Sequence, residues 1–105
     1  MVTLDGVVTK VEWQNPHTWL YLDVKGEDGK ITSWTVEAAS PSALTHAGWH
    51  KESLKPGDRV KVEAYLAKKG NNAANARSVT LPDGTHVFAG SADQLFFPPQ
   101  SQPQK

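Results

Sequence analysis

The chain has 105 residues, in which 11 Lys and Arg balance 11 Asp and Glu, with four Trp and no Cys. This length makes one small domain with a single core, and the zero balance supplies no basic stripe to track a phosphate backbone, so nucleic acid is not an expected partner. Without Cys there is no disulfide framework, thiolate metal site or Cys nucleophile, and no apolar run approaches the ~20 residues of a membrane helix, so membrane insertion is not expected either.

From Val2 to Trp13 the residues alternate as a strand does, but the apolar parity changes at Gly6: Val2 and Leu4 are even, whereas Val7, Val11 and Trp13 are odd. A glycine at a parity switch predicts a β-bulge. The run Trp13-Gln14-Asn15-Pro16-His17-Thr18-Trp19 then gathers two indoles, an amide and an imidazole around a proline that fixes its own φ and biases its predecessor toward extended backbone. Asn15-Pro16-His17 is therefore predicted as a sharp turn into a second strand, His17 to Val24, with Leu20, Leu22 and Val24 on one face and His17, Trp19 and Tyr21 on the other. Lys25 to Lys30 reads as a polar hairpin loop, and Ile31 to Ala39 as a third strand alternating Trp34, Val36 and Ala38 against Ser33, Thr35 and Glu37.

Ser40 is a good N-cap and Pro41 a good first helical residue, which predicts a short helix to Ala47 that ends at Gly48. Leu54-Lys55-Pro56-Gly57-Asp58 is a turn that launches a fourth strand, Arg59 to Leu66, with Val60, Val62, Ala64 and Leu66 sharing a face. Lys68 to Asn75 reads as a mobile polar loop. Ala76 to Leu81 and Thr85 to Ala89 are predicted to pair across Pro82-Asp83-Gly84. Residues 1–90 would then form an all-β domain with one short helix, a small five- to six-stranded OB-fold-like β-barrel, for which an open sandwich is the rival. Residues 91–105, rich in Pro, Gln and Ser, read as a tail that docks through Leu95-Phe96-Phe97 and is disordered from Pro98 onward.

A regular hairpin between strands two and three pairs residues whose numbers sum to about 54. His17 would then face Glu37, Trp19 would face Thr35, and Tyr21 would face Ser33. The outer face of these strands in OB-folds takes flat or extended ligands on aromatic platforms. The expected ligand contacts are Asn15, His17, Trp19, Tyr21, Thr35, Glu37 and Trp49, for a small-molecule or extended ligand or a partner protein. The competing reading covers Trp19 and Tyr21 with the Leu95-Phe97 segment, or with a second copy of the chain in a homodimer. His17 and Glu37 also make a candidate acid-base pair for a small enzyme with a pocket walled by Trp13, Trp19, Trp34 and Trp49, or else only a cross-strand hydrogen bond.

His46 and His50 stand four apart, and with His17 or Glu37 they would complete a zinc or copper site if one helix carried both. Gly48 between them argues against it, so no metal or cofactor is expected. His86 reads as a solvated strand residue. Trp13 and Trp34 read as core, and Trp49 as the cap of one barrel end. No Gly-x-Ser-x-Gly elbow or glycine-rich phosphate loop occurs.

Leu4-x-Gly6-x-Val8, Trp13-x-Asn15-Pro16-His17-x-Trp19, Trp34-x-x-Glu37, Ser40-Pro41, Leu44, Gly48-Trp49, Leu54-Lys55-Pro56-Gly57-Asp58-x-Val60 and Val79-Thr80-Leu81-x-Asp83-Gly84 together resemble a family of small exported bacterial proteins of unknown function. The resemblance runs over roughly residues 3–90. It implies a periplasmic or secreted location and no particular activity. Family members usually begin with a signal peptide and a His-His-Ser segment; neither is legible here, and Met1 directly ahead of a strand suggests that an N-terminal piece is missing.

Overall fold

Six strands and one short helix follow one another in the computed structural model, which describes residues 1–67 and 72–90. They are β1 (Val2–Glu12), β2 (Trp19–Lys25), β3 (Ile31–Glu37), α1 (Pro41–His46), β4 (Arg59–Leu66), β5 (Ala73–Thr80) and β6 (His86–Phe88). The sheet order is β3-β2-β1-β4-β5-β6, and a further parallel pairing of β3 with β5 closes the first five strands into a barrel. This is the predicted OB-like architecture, with β6 as an added strand. The predicted Leu95-Phe97 docking segment and C-terminal tail lie outside the described residues, as does the start of the predicted 68–75 loop.

Residues of β1 serve two partners: Val2 to Val7 pair with β4, and Gly6 to Glu12 pair with β2. The parity switch is real but misplaced in the sequence reading. Leu4, Gly6 and Val8 all point inward, and the register against β2 shifts between Val8 and Lys10, which puts the bulge at Thr9. Gly6 has a different reason to be glycine. A Cβ built there would lie 2.5 Å from the Asp23 carbonyl oxygen and 3.0 Å from Val24 Cγ2, so the two strands can approach this closely only without a side chain.

The barrel interior is filled by the alternate residues expected of half-buried strands, including Leu20, Leu22, Val36, Val62 and Val79, each with no exposed surface. Two strand readings need correction. Leu66 is 56% exposed rather than sharing the core with Ala64. The last β1 pair is Val2 with Ala64, so the tip of β4 runs past the end of β1 and nothing on that strand covers it. Conversely, Ala73 to Asn75 are strand rather than loop: they pair with Thr35 to Glu37 on one side while Leu66 and Tyr65 hold Ala74 and Asn75 on the other. Barrel closure supplies backbone partners that outweigh the low strand propensity of an Ala/Asn run.

α1 forms as its caps dictate. Ser40 Oγ accepts the Ala43 N–H at 3.2 Å, Pro41 sits in the first turn, and Gly48 beyond the end takes φ +107°. The Trp49 N–H then donates to the Leu44 carbonyl at 2.9 Å, which turns the chain so that Leu44 and Trp49 both enter the core between the end of β3 and the start of β4. No helix of the described residues is long and apolar enough to cross a membrane.

Candidate functional site on the outer face of β2 and β3

The β1–β2 connection is the irregular turn that Pro16 predicts, and its Asn15–Pro16 peptide bond is cis. Its far end is anchored. Thr18 is fully buried, its N–H donates to the Ala39 carbonyl at 3.1 Å, and its carbonyl accepts the Ala38 N–H at 2.8 Å. His17, one residue before this anchor, is thereby held on the outside of the barrel, with Nδ1 2.5 Å from Oε2 of Glu37.

The predicted contact between His17 and Glu37 is present, but by another route. Residues of β2 and β3 pair with numbers summing to 56, so Glu37 is opposite Trp19, Thr35 opposite Tyr21 and Ser33 opposite Asp23. His17 reaches Glu37 from the neighbouring position. The hairpin closes on Lys25 and Ile31, with the Gly26 N–H bonded to the Lys30 carbonyl at 2.8 Å and Gly29 at φ +84°. A register slip of two leaves every side chain on its expected face. Trp19, Tyr21, Thr35, Glu37 and His17 therefore share one surface, each half-buried, and Asn15 is exposed in the connection two residues before His17.

Two residues that the sequence reading missed also belong to this surface. The Thr9 bulge turns Lys10 and Glu12 outward beside Tyr21 and Trp19, their partners on β2. The Tyr21 hydroxyl donates to Glu12 Oε1 at 2.7 Å, Lys10 Nζ lies 3.1 Å from Glu12 Oε2, and the same ammonium stands 5.5 Å from the centre of the Tyr21 ring. The hydrogen bond from Tyr21, helped by Lys10, holds the Glu12 carboxyl below its ordinary value, and the same bond raises the Tyr21 phenol. Tyr21 is thus a platform already engaged on one side, whereas the Trp19 indole makes no hydrogen bond among the described residues. Placing the parity switch at Thr9 would have revealed Lys10 and Glu12 from the sequence.

Trp49, expected among the ligand contacts, stands apart from this surface. It is 3% exposed, and its indole N–H donates to the Phe88 carbonyl at 2.9 Å, so its ring is committed to the core, as its reading as a barrel cap implies. Trp13 and Trp34 pack half-buried against the core. His46, His50 and His86 are all exposed, and His50 Nδ1 accepts the Glu52 N–H at 3.3 Å. Among the described residues no three His, Asp or Glu side chains converge in a way that could hold a metal ion.

A closed five-stranded barrel with a polar, aromatic outer face defines a small OB-like β-barrel protein. The chain belongs to DUF6152, a family of unknown function, whose model matches residues 1–76 and so takes in the whole outer-face surface. No curated protein and no solved structure matches it.

Proposed function

We propose that this barrel is an exported binding module, periplasmic or secreted, that holds a small flat or sugar-like ligand, or an extended one, on the outer face of β2 and β3. The observation that carries this reading is the His17–Glu37 contact set beside Trp19. An imidazole and a carboxylate hold each other 2.5 Å apart next to a half-exposed indole, on a corner anchored by the Thr18 backbone. Aromatic rings take the apolar face of a flat ring or a sugar, and preset polar groups orient it with little ordering cost. Tyr21 and Thr35, paired next along the same two strands, supply further polar atoms on this face, and Asn15 stands two residues before His17 in the chain. The exported location rests on the family resemblance carried by the Asn-Pro-His, Gly-Trp and Lys-Pro-Gly-Asp motifs. Binding is tested by titrating the protein with saccharides and flat heteroaromatic compounds while following the Trp19 indole N–H resonance. Saturable shifts that extend to the Thr35 and Glu37 amides, and are lost at those amides in Trp19→Ala, support the reading.

The same contact favours a second reading, in which His17 and Glu37 move a proton on a bound substrate. Under it His17→Ala and Glu37→Gln each lower turnover by roughly two to four orders of magnitude with an unchanged melting temperature. If the pair only fastens the corner, the melting temperature falls and ligand affinity per folded molecule stays constant.

A further inference from the structure

Where β6 ends, backbone hydrogen bonds bring the chain close to the outer face of β2 and β3. The Ala89 N–H donates to the Arg77 carbonyl at 2.9 Å, and the Ala89 carbonyl accepts the Ala39 N–H at 3.0 Å. The Ala39 carbonyl in turn accepts the Thr18 N–H at 3.1 Å, and Trp19 follows Thr18 in the chain. Backbones joined by such bonds run about 5 Å apart, so Ala89 stands no more than roughly 10 Å from Thr18. Trp19 and Tyr21 are the first and third residues of β2, roughly 3 and 10 Å further along it.

Ser91 to Lys105 continue the sequence from this point. They carry two charges, Asp93 and Lys105, and one run of large apolar side chains, Leu95-Phe96-Phe97. Pro98 and Pro99 follow directly, which biases Phe97 toward extended backbone. A chain spans at most ~3.3–3.6 Å per residue, so Leu95 can reach about 18 Å from Gly90 and Phe97 about 25 Å. Both distances take in Trp19, and the second takes in Tyr21. The receiving face suits an apolar segment. Its two rings are half-buried, its Trp19 indole makes no hydrogen bond among the described residues, and its charged groups answer one another, Lys10 with Glu12 and His17 with Glu37. Phenyl rings pair with an indole or a phenol edge-to-face or offset, which a half-buried ring still allows.

We propose that residues 91–97 are an intramolecular strap, which lays Leu95-Phe96-Phe97 across Trp19 and Tyr21 while the site holds no ligand and gives way when a ligand binds. The tether supplies an effective concentration on the order of mM, so a weak contact suffices. Ordering the segment costs conformational entropy that offsets much of the gain, so docked and released forms coexist and a ligand competes with the docked fraction. The displacement step rests on the function proposed above, whereas docking is measured with no ligand present.

The chain has no Cys, so Gln100→Cys in the full chain accepts a single nitroxide label. Paramagnetic relaxation of the Trp19 indole N–H and of the Thr35 and Glu37 amides is compared between this labelled chain and one that also carries Leu95→Ser, Phe96→Ser and Phe97→Ser. These changes lie outside the barrel, and unshifted amides of Leu22, Val62 and Val79 verify that it stays folded. Relaxation at the three reporters should fall roughly threefold in the Ser variant, and the Glu52 and Lys55 amides should not follow. Without a label, the soluble nitroxide TEMPOL should relax the Trp19 indole roughly twofold more in the Ser variant than in the unsubstituted chain. Equal relaxation with and without the apolar run reflects tethering alone and overturns docking, and relaxation centred on α1 overturns the site. Relaxation of an isotope-labelled chain by spin-labelled copies mixed with it assigns the contact to a second copy and overturns the intramolecular strap. If docking is seen but Trp19 answers no saccharide or heteroaromatic compound in either chain, the docking stands and its displacement falls with the binding function.

Discussion

Trp49 and Trp19 belong to the same small barrel and have opposite fates. Trp49 sits where α1 returns the chain to β4, 3% exposed, with its indole N–H bonded to Phe88. Trp19 sits on the outer face of β2 opposite Glu37, half-buried, its indole without a hydrogen bond among the described residues. One indole is spent on stability, and the other is left in a place where its energy can go into a ligand. The same contrast separates the inward row Leu20, Leu22 and Val36, fully buried and apolar, from the outward row Trp19, Tyr21 and Thr35, where polar atoms and rings alternate with charge.

This comparison breaks if the two tryptophans cost the same to remove. Trp49→Ala is expected to destabilise by about 3–5 kcal/mol, because it empties a core site and leaves the Phe88 carbonyl without its donor. Trp19→Ala is expected to cost about 1 kcal/mol or less. Denaturant titration of both variants decides it, and equal losses would make Trp19 a core residue.

The closeness of β1 and β2 is the next term. Gly6→Ala is expected to cost about 1–3 kcal/mol, since its methyl would meet backbone, the Asp23 carbonyl oxygen, rather than a side chain able to move aside. An unchanged midpoint would mean that the strands separate there without penalty.

Thr18 sharpens the line between inside and outside. Its Oγ1 is buried with no hydrogen-bond partner among the described residues, between the half-buried His17 and Trp19. Thr18→Val keeps the shape and removes the unsatisfied hydroxyl, so stability should rise by roughly 1 kcal/mol. A loss instead would place a bridging water beside the hydroxyl.

The smallest effect concerns pH. The Glu12 carboxyl is lowered in the folded state by the hydrogen bonds from Tyr21 and Lys10, so its contribution is present above the ordinary carboxylate range and is lost as pH falls through the lowered folded value. The Tyr21 phenol is raised by the same bond, so its contribution is present below the ordinary phenol value and is lost as pH rises through the raised one. In Tyr21→Phe the carboxyl of Glu12 should titrate closer to its ordinary value, as followed by its carbon resonance, with little change in melting temperature. An unmoved Glu12 would assign the lowering to Lys10 alone.

Much of this was legible in the sequence because local chemistry dictated it. Ser40, Pro41 and Gly48 delimit α1, Pro16 marks the corner, and two-residue alternation separates the faces of β2 and β3. What stayed hidden depends on partners distant in sequence. The Thr9 bulge is defined by the pairing of its neighbours Val8 and Lys10 with Leu22 and Tyr21, which a parity count along one strand places only to within a few residues. Ala73 to Asn75 become a strand because β3 lies beside them. Lys10 and Glu12 were missed for the first of these reasons, and the two-residue error in the β2–β3 register followed from the length of one hairpin loop. It spared the face and changed the neighbours.

The central claim is that the outer face of β2 and β3, and not the Trp49 end, receives a ligand. The four tryptophan indole N–H resonances report on it together, followed while saccharides and flat heteroaromatic compounds are added to about 10 mM, enough to detect weak recognition. The expected result is a saturable shift of Trp19 with at least one compound, accompanied by the Thr35 and Glu37 amides and abolished in Glu37→Ala, while Trp49 stays fixed. A shift of Trp49 with Trp19 unmoved, or no shift of Trp19 with any compound, would contradict it.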